Sequence, residues 1–278
     1  MTDLTTRLDD LTLAVFDVET TGLHPSWGDR VCEVAILRCQ GDTVLEAYQT
    51  LVNPQRPVGR GAFAVHGISD VELAQAPLFA EVADEVLSRL EGAILVAHNA
   101  PFDLGFLASE LMHVGQSMPR LIALDTLRLA QAVYPFGSHA LGNLCRYLGI
   151  DLEGGEHRAM ADVLLTWHLF QRLTDALWRR GVRTLGEALL YQGGAIHYER
   201  PEPLDIPEPI REALCNRWHL HLLYRSESGQ VTERLVRPLD VARRGGVTVL
   251  VAHCLLRDAQ RTFRLDRILR LDLVENLE

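Results

Sequence analysis

Short apolar runs mark the strands in the first half of the chain. Segments rich in β-branched residues and separated by glycine-containing connections predict a three-stranded meander over residues 13–18, 31–39 and 43–52. A buried strand is predicted over 93–98, between two segments whose apolar residues have helical spacing, 79–91 and 101–114.

The pattern then changes to one strand followed by helices. Residues 122–126 are typical of a strand, and helices are expected over 125–133, 138–148 and 158–180. Strands that first pair along the chain and then alternate with helices indicate an α/β domain with a mixed sheet, which we place at residues 1–180.

The periodicity weakens over residues 181–207, and we interpret this stretch as a linker. Gly193 and Gly194 are followed by four prolines between Pro201 and Pro209, which favour extended conformations. Strand-like runs separated by turn signals then predict a small β-rich domain at 208–278, with runs at 219–226, 232–241, 247–256 and 261–268.

Composition fits a globular protein with one sizeable core and a smaller second domain. The 278 residues are 47% hydrophobic, and no apolar run approaches the length of a membrane helix. The N-terminal stretch lacks a basic start followed by an apolar run, so we predict a cytoplasmic protein. Scattered cysteines without C-x-x-C spacing favour buried free thiols over a zinc site: Cys32, Cys39, Cys145, Cys215 and Cys254.

Charge is distributed unevenly along the chain. Residues 1–178 hold 11 arginines against 23 acidic residues, whereas residues 205–278 hold 12 arginines against 11 acidic residues. The first part therefore lacks an evident basic face for long nucleic acid. If it handles nucleic acid, metal ions and a small local site must hold it, and single-stranded or frayed ends should be favoured over intact duplex.

Asp17 and Glu19 stand two residues apart at the end of an apolar strand. Strand alternation aims both carboxylates at the same face of the sheet. Neighbouring buried carboxylates repel each other and lose hydration, so such a pair calls for protonation or a bound cation. On its own, this pair is equally compatible with a solvated strand end.

Further motifs follow in order: FDVETTGL at 16–23, VHGI at 65–68, HNAPFD at 98–103 and HRAMAD at 157–162. Over roughly residues 11–178 the chain thereby resembles the DEDDh exonucleases. The resemblance implies an RNase H-like fold and a 3′-to-5′ exonuclease. It also implies two divalent ions, Mg²⁺ or Mn²⁺, held by carboxylates that suit hard cations: Asp17, Glu19, Asp103 and Asp162.

His157 is the expected general base of this site. It stands five residues before Asp162, about 140° away around an ideal helix, so we place it on the loop that enters the helix. The resemblance assigns the terminal nucleotide to a further set of residues: Thr20, Thr21, Gly22, Leu23, His66, His98, Asn99 and Phe102. Burial in the core is the open alternative for Leu23 and Phe102.

The stretch from about 205 to 278 resembles a WYL domain, a small SH3- or Sm-like β-barrel associated with regulation and single-stranded nucleic acid. Thr248, Val249 and Leu250 stand where that family has its Trp-Tyr-Leu run, so the resemblance supports the fold better than the ligand. Possible phosphate contacts are Arg225, Arg264 and Arg267. Surface ion pairs with neighbours such as Asp266 are the alternative.

These observations predict an exonuclease that releases nucleoside 5′-monophosphates from single-stranded DNA in repair or end processing. An RNA-trimming nuclease stays open because the same carboxylates accept either sugar, and so does a non-catalytic nucleic-acid-binding regulator. A DNA polymerase or repair protein is a conceivable partner, and no membrane is expected. We expect the C-terminal domain to engage substrate while the chemistry resides before residue 163.

Overall fold

The computed structural model describes residues 3–135, 137–150, 158–198 and 204–275. The chain divides into two compact units, of which the first comprises Met1–Thr21, Arg30–Pro57 and Val65–Pro201. The second comprises Gly22–Asp29, Val58–Ala64 and Glu202–Glu278, so it takes in segments from early in the chain. The domain boundaries given above stay a prediction.

The sheet of the first unit is mixed. Its strands are β1 (Thr12–Thr20), β2 (Val31–Gln40), β3 (Thr43–Leu51), β4 (Ile94–Ala97) and β5 (Ala123–Asp125). They lie in the order β3-β2-β1-β4-β5. The pairings β1–β2 and β2–β3 are antiparallel, whereas β4 pairs in parallel with β1 and with β5. The predicted meander and the α/β class are confirmed.

The helices up to residue 191 are α1 (Arg60–His66), α2 (Asp70–Leu73), α3 (Phe79–Leu90), α4 (Ala100–His113), α5 (Thr126–Val133), α6 (Leu141–Tyr147), α7 (Ala159–Trp178) and α8 (Leu185–Tyr191). Helix α8 lies inside the predicted linker. Thr184 and Glu187 form a capping box at its start, and Leu185 and Ala188 are buried in a hydrophobic core. Residues 185–191 of the stretch that we interpreted as a linker are therefore helical.

Strand alternation divides the first unit into a core on each face of the sheet. Leu13 and Val15 lie in the core that also contains buried residues of α7. Phe16 and Val18 lie in the other core, with buried residues of α3 and α4. Because residues 13, 15, 17 and 19 share one face of β1, the acids that continue this series point toward the α7 side.

The second unit contains an antiparallel sheet preceded by a helix. Its elements are α9 (Glu208–Asn216), β6 (His219–Arg225), β7 (Val231–Arg244), β8 (Val247–Cys254), β9 (Ala259–Arg264) and β10 (Ile268–Val274). The strand order is β10-β6-β7-β8-β9. This confirms a β-rich C-terminal domain. Our predicted run over 261–268 instead contains the end of β9, a 3₁₀ turn at Leu265–Arg267 and the start of β10.

Among the described residues, no helix has the length and apolar character needed to span a membrane. A cytoplasmic location stays a prediction. Four cysteines are buried with free thiols, as expected: Cys32, Cys39, Cys145 and Cys254. The side chain of Cys215 lies outside the described part of the structure.

Candidate active site

Three predicted metal ligands converge at the end of β1. One carboxylate oxygen from each of Asp17, Glu19 and Asp162 lies within 4.8 Å of the other two. Asp17 and Glu19 reach this point because they share a face of β1, and Asp162 reaches it from the first turn of α7. The site therefore joins parts of the sequence more than 140 residues apart.

Asp103 is buried beside the same strand and is not one of these three residues. It lies in the first turn of α4, where its side chain is 2% exposed. The backbone N–H of Val18, between the two acids of β1, donates to Asp103 Oδ1 at 3.2 Å. This hydrogen bond holds the Asp103 carboxylate against the strand that carries Asp17 and Glu19.

The carboxylates of this site are held in an electrostatically costly arrangement. Burial, reinforced by the charge of Asp103, raises the pKa of Asp17 well above its usual value. Burial also raises the pKa of Asp103, although the Val18 N–H opposes the shift. The pKa of Glu19 rises to about 8, first through burial and then through the charges of Asp162 and Glu33. Oxygen donors with unneutralised charge fit a hard divalent cation.

Glu33 is a central residue that our sequence reasoning missed. This β2 side chain is 1% exposed and accepts from Arg158 Nε at 3.1 Å and Nη2 at 2.6 Å. It also accepts from the Ala159 N–H at 3.0 Å and the Gln49 amide at 2.8 Å. Burial opposes ionisation, but these donors, led by Arg158, lower the pKa of Glu33 below its usual value. Glu33 thereby fastens the first turn of α7, which carries Asp162.

The predicted general base, His157, lies outside the described residues. Helix α7 begins at Ala159, with Arg158 as its N-cap. The first described residue after His157 is Arg158, which donates to Glu33. The role of His157 stays a prediction.

His66 is engaged within the protein through both ring nitrogens. Ile68 N–H donates to His66 Nδ1 at 3.0 Å, so the neutral ring carries its proton on Nε2. His66 Nε2 lies 3.2 Å from the carbonyl oxygen of Thr20 and donates to it. Burial lowers the pKa of His66, in keeping with the neutral form. Its geometry supports the backbone of Thr20.

His98 is held in the same manner. Its Nε2 lies 2.9 Å from the carbonyl oxygen of His139, and its Nδ1 lies 2.9 Å from the hydroxyl of Thr126. Burial lowers the pKa of His98. The neighbouring Asn99 is exposed and has a left-handed backbone, with φ of 71°, and its N–H donates to Asp125 Oδ1 at 3.0 Å.

The other predicted nucleotide contacts differ in exposure. Thr20 and Thr21 are buried, whereas Leu23 is 69% exposed. Phe102 is half-buried and packs against Phe106, with ring centroids 4.9 Å apart. Gly22 and Leu23 belong to the second compact unit, although the strand before them belongs to the first.

Two of the three candidate arginines in the C-terminal part are paired with acids. Arg264 donates to both carboxylate oxygens of Asp266, at 3.0 and 2.7 Å. Arg267 lies 3.3 Å from Glu227. Arg225 ends β6 and is exposed. For Arg264, the geometry matches the ion-pair alternative stated above.

Family models match both parts of the chain. Residues 14–170 match the model described as Exonuclease, and residues 205–273 match the model described as WYL domain. The first match covers more than half of the chain.

Similar proteins include the DNA polymerase III subunit epsilon-like protein of Rhodobacter capsulatus. The two are 43% identical over 188 residues, which is 66% of this chain and 27% of that protein. The PolC-type DNA polymerase III of Bacillus subtilis is 33% identical over 200 residues, covering 70% of this chain and 14% of that protein. The chain spans less than a third of the length of these relatives.

Similar solved structures confirm the RNase H-like exonuclease fold. Exonuclease X in complex with 5′ overhanging duplex DNA has a TM-score of 0.51 at 23% identity, covering 65% of this chain and 99% of that chain. E. coli Exonuclease I in complex with a dA16 oligonucleotide has a TM-score of 0.55 at 20% identity, covering 87% of this chain and 55% of that chain.

Proposed function

Because the chain belongs to the exonuclease family, we propose that it is a metal-dependent 3′-to-5′ exonuclease acting on single-stranded DNA in repair or end processing. The observation that carries the proposal is the convergence of Asp17, Glu19 and Asp162 at one strand end, with buried Asp103 hydrogen-bonded to that strand. The raised pKa values of Asp17, Glu19 and Asp103 favour a site completed by cations.

Asp17, Glu19, Asp103 and Asp162 would hold two divalent ions, either Mg²⁺ or Mn²⁺. When bound, such ions supply an activated water and neutralise charge on the phosphate and the departing 3′ oxygen. The chain's own contribution is to keep the acids in place through the Val18 N–H and the Glu33–Arg158 pair. His157 would accept the proton of the attacking water.

The terminal nucleotide would be held mainly by the members of the predicted set that are exposed or half-buried. In the first unit, Phe102 would offer apolar surface to a base and Asn99 an amide to phosphate or sugar oxygens. The exposed Leu23 stays a predicted base contact. The other members of the set would position the nearby backbone: Thr20, Thr21, His66 and His98. Cleavage would release nucleoside 5′-monophosphates one at a time.

The test is cleavage of 5′-labelled DNA and RNA oligonucleotides of matched sequence in Mg²⁺, Mn²⁺ or chelator. We expect metal-dependent shortening from the 3′ end, faster on DNA, which Asp17→Ala abolishes. The matched control is Asp84→Ala, an exposed acid on α3 that should cleave like the wild type. Full activity in excess chelator would overturn the proposal. Faster RNA cleavage would instead make the protein an RNA-trimming nuclease.

A further inference from the structure

Asp125 is a buried acid that our sequence reasoning did not place in the site. It ends β5 and is the N-cap of α5, with 1% of its surface exposed. Its Oδ1 accepts from the Leu127 N–H at 2.9 Å, which caps α5, and also from the Asn99 N–H at 3.0 Å. Its Oδ2 lies 3.7 Å from Arg128 Nε. Capping α5 requires only the first of these contacts, so the bond to Asn99 is an additional constraint on the turn before α4.

Asn99 requires such a constraint because of its backbone conformation. It has φ of 71° and ψ of 50°, in the left-handed region that is uncommon for residues other than glycine. Its side chain makes no hydrogen bond that caps α4. The Asp125 carboxylate therefore supplies the acceptor that fixes the backbone N–H of this turn.

The turn at Asn99 leads directly into the helix that carries a predicted metal ligand. Helix α4 begins at Ala100, and the carbonyl oxygen of Asn99 accepts from the Phe102 N–H at 2.9 Å. Asp103 is the next residue, and its carboxylate accepts from the Val18 N–H of β1 at 3.2 Å. A shift of the Asn99 backbone would therefore change where Asp103 meets β1.

Asp125 is itself fixed from two sides. Within the sheet it pairs with β4. On the other side of β5, which is an edge strand, the Asp125 N–H donates to Gln192 Oε1 at 2.9 Å. The Gln192 amide nitrogen donates to the carbonyl oxygens of Ala123 and Gly194, at 3.0 Å each. Gln192 is 5% exposed and follows α8, beyond the residues 14–170 that match the exonuclease model.

We propose that Asp125 is a positioning residue: its carboxylate holds the backbone of Asn99 and thereby sets the first turn of α4, from which Asp103 reaches the metal site. The inference rests on the proposed function for the role of Asp103 as a metal ligand. All of these residues belong to the first compact unit. The start of α4 then depends on a hydrogen-bond acceptor at position 125 and not on the charge there.

The test measures Mn²⁺ affinity by calorimetry and single-turnover cleavage of a 5′-labelled single-stranded DNA, both with the full chain. Asp125→Ala removes the acceptor and should lower Mn²⁺ affinity and the cleavage rate about tenfold, the lower end of the loss typical when a group that orients a metal ligand is removed. Asp125→Asn keeps an oxygen that accepts from the Asn99 N–H and should recover most of this loss. Unchanged Mn²⁺ affinity in Asp125→Ala would overturn the proposal. So would equal losses in the two variants, because the effect would then come from the charge.

The matched control is Glu110→Ala, which truncates another buried carboxylate of the first unit. Glu110 is also 1% exposed and also accepts from a backbone N–H, that of Val31 at 3.0 Å, but it lies near the other end of α4. At a temperature where circular dichroism shows both alanine variants folded, Glu110→Ala should keep Mn²⁺ affinity near the wild-type value. An equal fall of affinity in both would show a general loss of stability instead of a displaced turn, and the proposal would fail.

Hydrogen exchange gives a readout that does not depend on activity. The amides of Asn99 and Phe102 should exchange faster in Asp125→Ala than in the other two variants, because only this variant removes the acceptor that holds the turn. Equal protection of these amides in all three variants would contradict the proposal. If the wild type neither binds Mn²⁺ nor cleaves DNA, the proposed function fails, and exchange still decides whether Asp125 holds the turn.

Discussion

In metal-free protein, replacing Glu19 with glutamine should stabilise the fold at neutral and alkaline pH. Burial and nearby acids raise the pKa of Glu19 from 4.5 to about 8. The unfolded chain therefore releases this proton at lower pH than the native protein, and native stability falls as pH rises from 4.5 to about 8. Glutamine has no such proton, so the variant escapes the loss.

The size of the effect follows from the pKa difference. At about 1.36 kcal/mol per pKa unit, a rise from 4.5 to about 8 corresponds to about 5 kcal/mol. This is an upper limit because the side chain is partly exposed and solvent screens its charge. As the pH rises from about 5 to about 8.5, we expect the free energy of unfolding of the variant to increase by about 2 to 4 kcal/mol relative to that of the wild type.

Urea unfolding followed by circular dichroism, with chelator present throughout, measures this gain. The matched control is Glu72→Gln. Hydrogen bonds from Ser69 lower the pKa of this exposed glutamate, so its carboxylate is ionised in both states above about pH 5, and the cost of replacing it should not change with pH from there to about pH 8.5. The free energy of unfolding is compared at about pH 5 and about pH 8.5. If it differs between Glu19→Gln and wild type by the same amount at these two pH values, the reasoning is refuted. Adding Mn²⁺ should stabilise the wild type more than the variant, since ligand at about 100 times its Kd contributes about 2.7 kcal/mol.

Three further outcomes are expected. Glu33→Gln should lower the free energy of unfolding by about 2 kcal/mol and weaken Mn²⁺ binding in calorimetry. The control is Glu110→Gln, which loses a similar buried pair with Arg30 and should lower stability without weakening Mn²⁺ binding. His157→Gln should reduce single-turnover cleavage about 10²- to 10⁴-fold with Mn²⁺ affinity unchanged, and a loss of affinity would make it a ligand. Single strands should be cleaved faster than blunt duplex, and the opposite ranking would contradict the argument from acidic charge.

Local patterns predicted the first sheet and the shared face of Asp17 and Glu19, whereas Asp103 and Asp162 entered the predicted set through the resemblance to the DEDDh exonucleases. Alternation along β1 places Asp17 and Glu19 on one face, and helical periodicity identifies α7. Local patterns fail where tertiary contacts decide. The sequence around α8 has little helical periodicity, and the helix is stabilised by burying Leu185 and Ala188. Likewise, Trp27 of segment 22–29 lies in a core whose other buried residues begin at Ile206.

Glu33 shows most clearly what a single sequence leaves undetermined. An acid within the apolar run of β2 is a visible signal, since a buried charge requires partners. The pattern does not identify them, because Arg158 is 125 residues away in the chain. Pairing with Arg158 offsets the free-energy cost of burying the Glu33 carboxylate. The acid becomes the group that sets where α7 begins, and therefore where Asp162 meets the acids of β1.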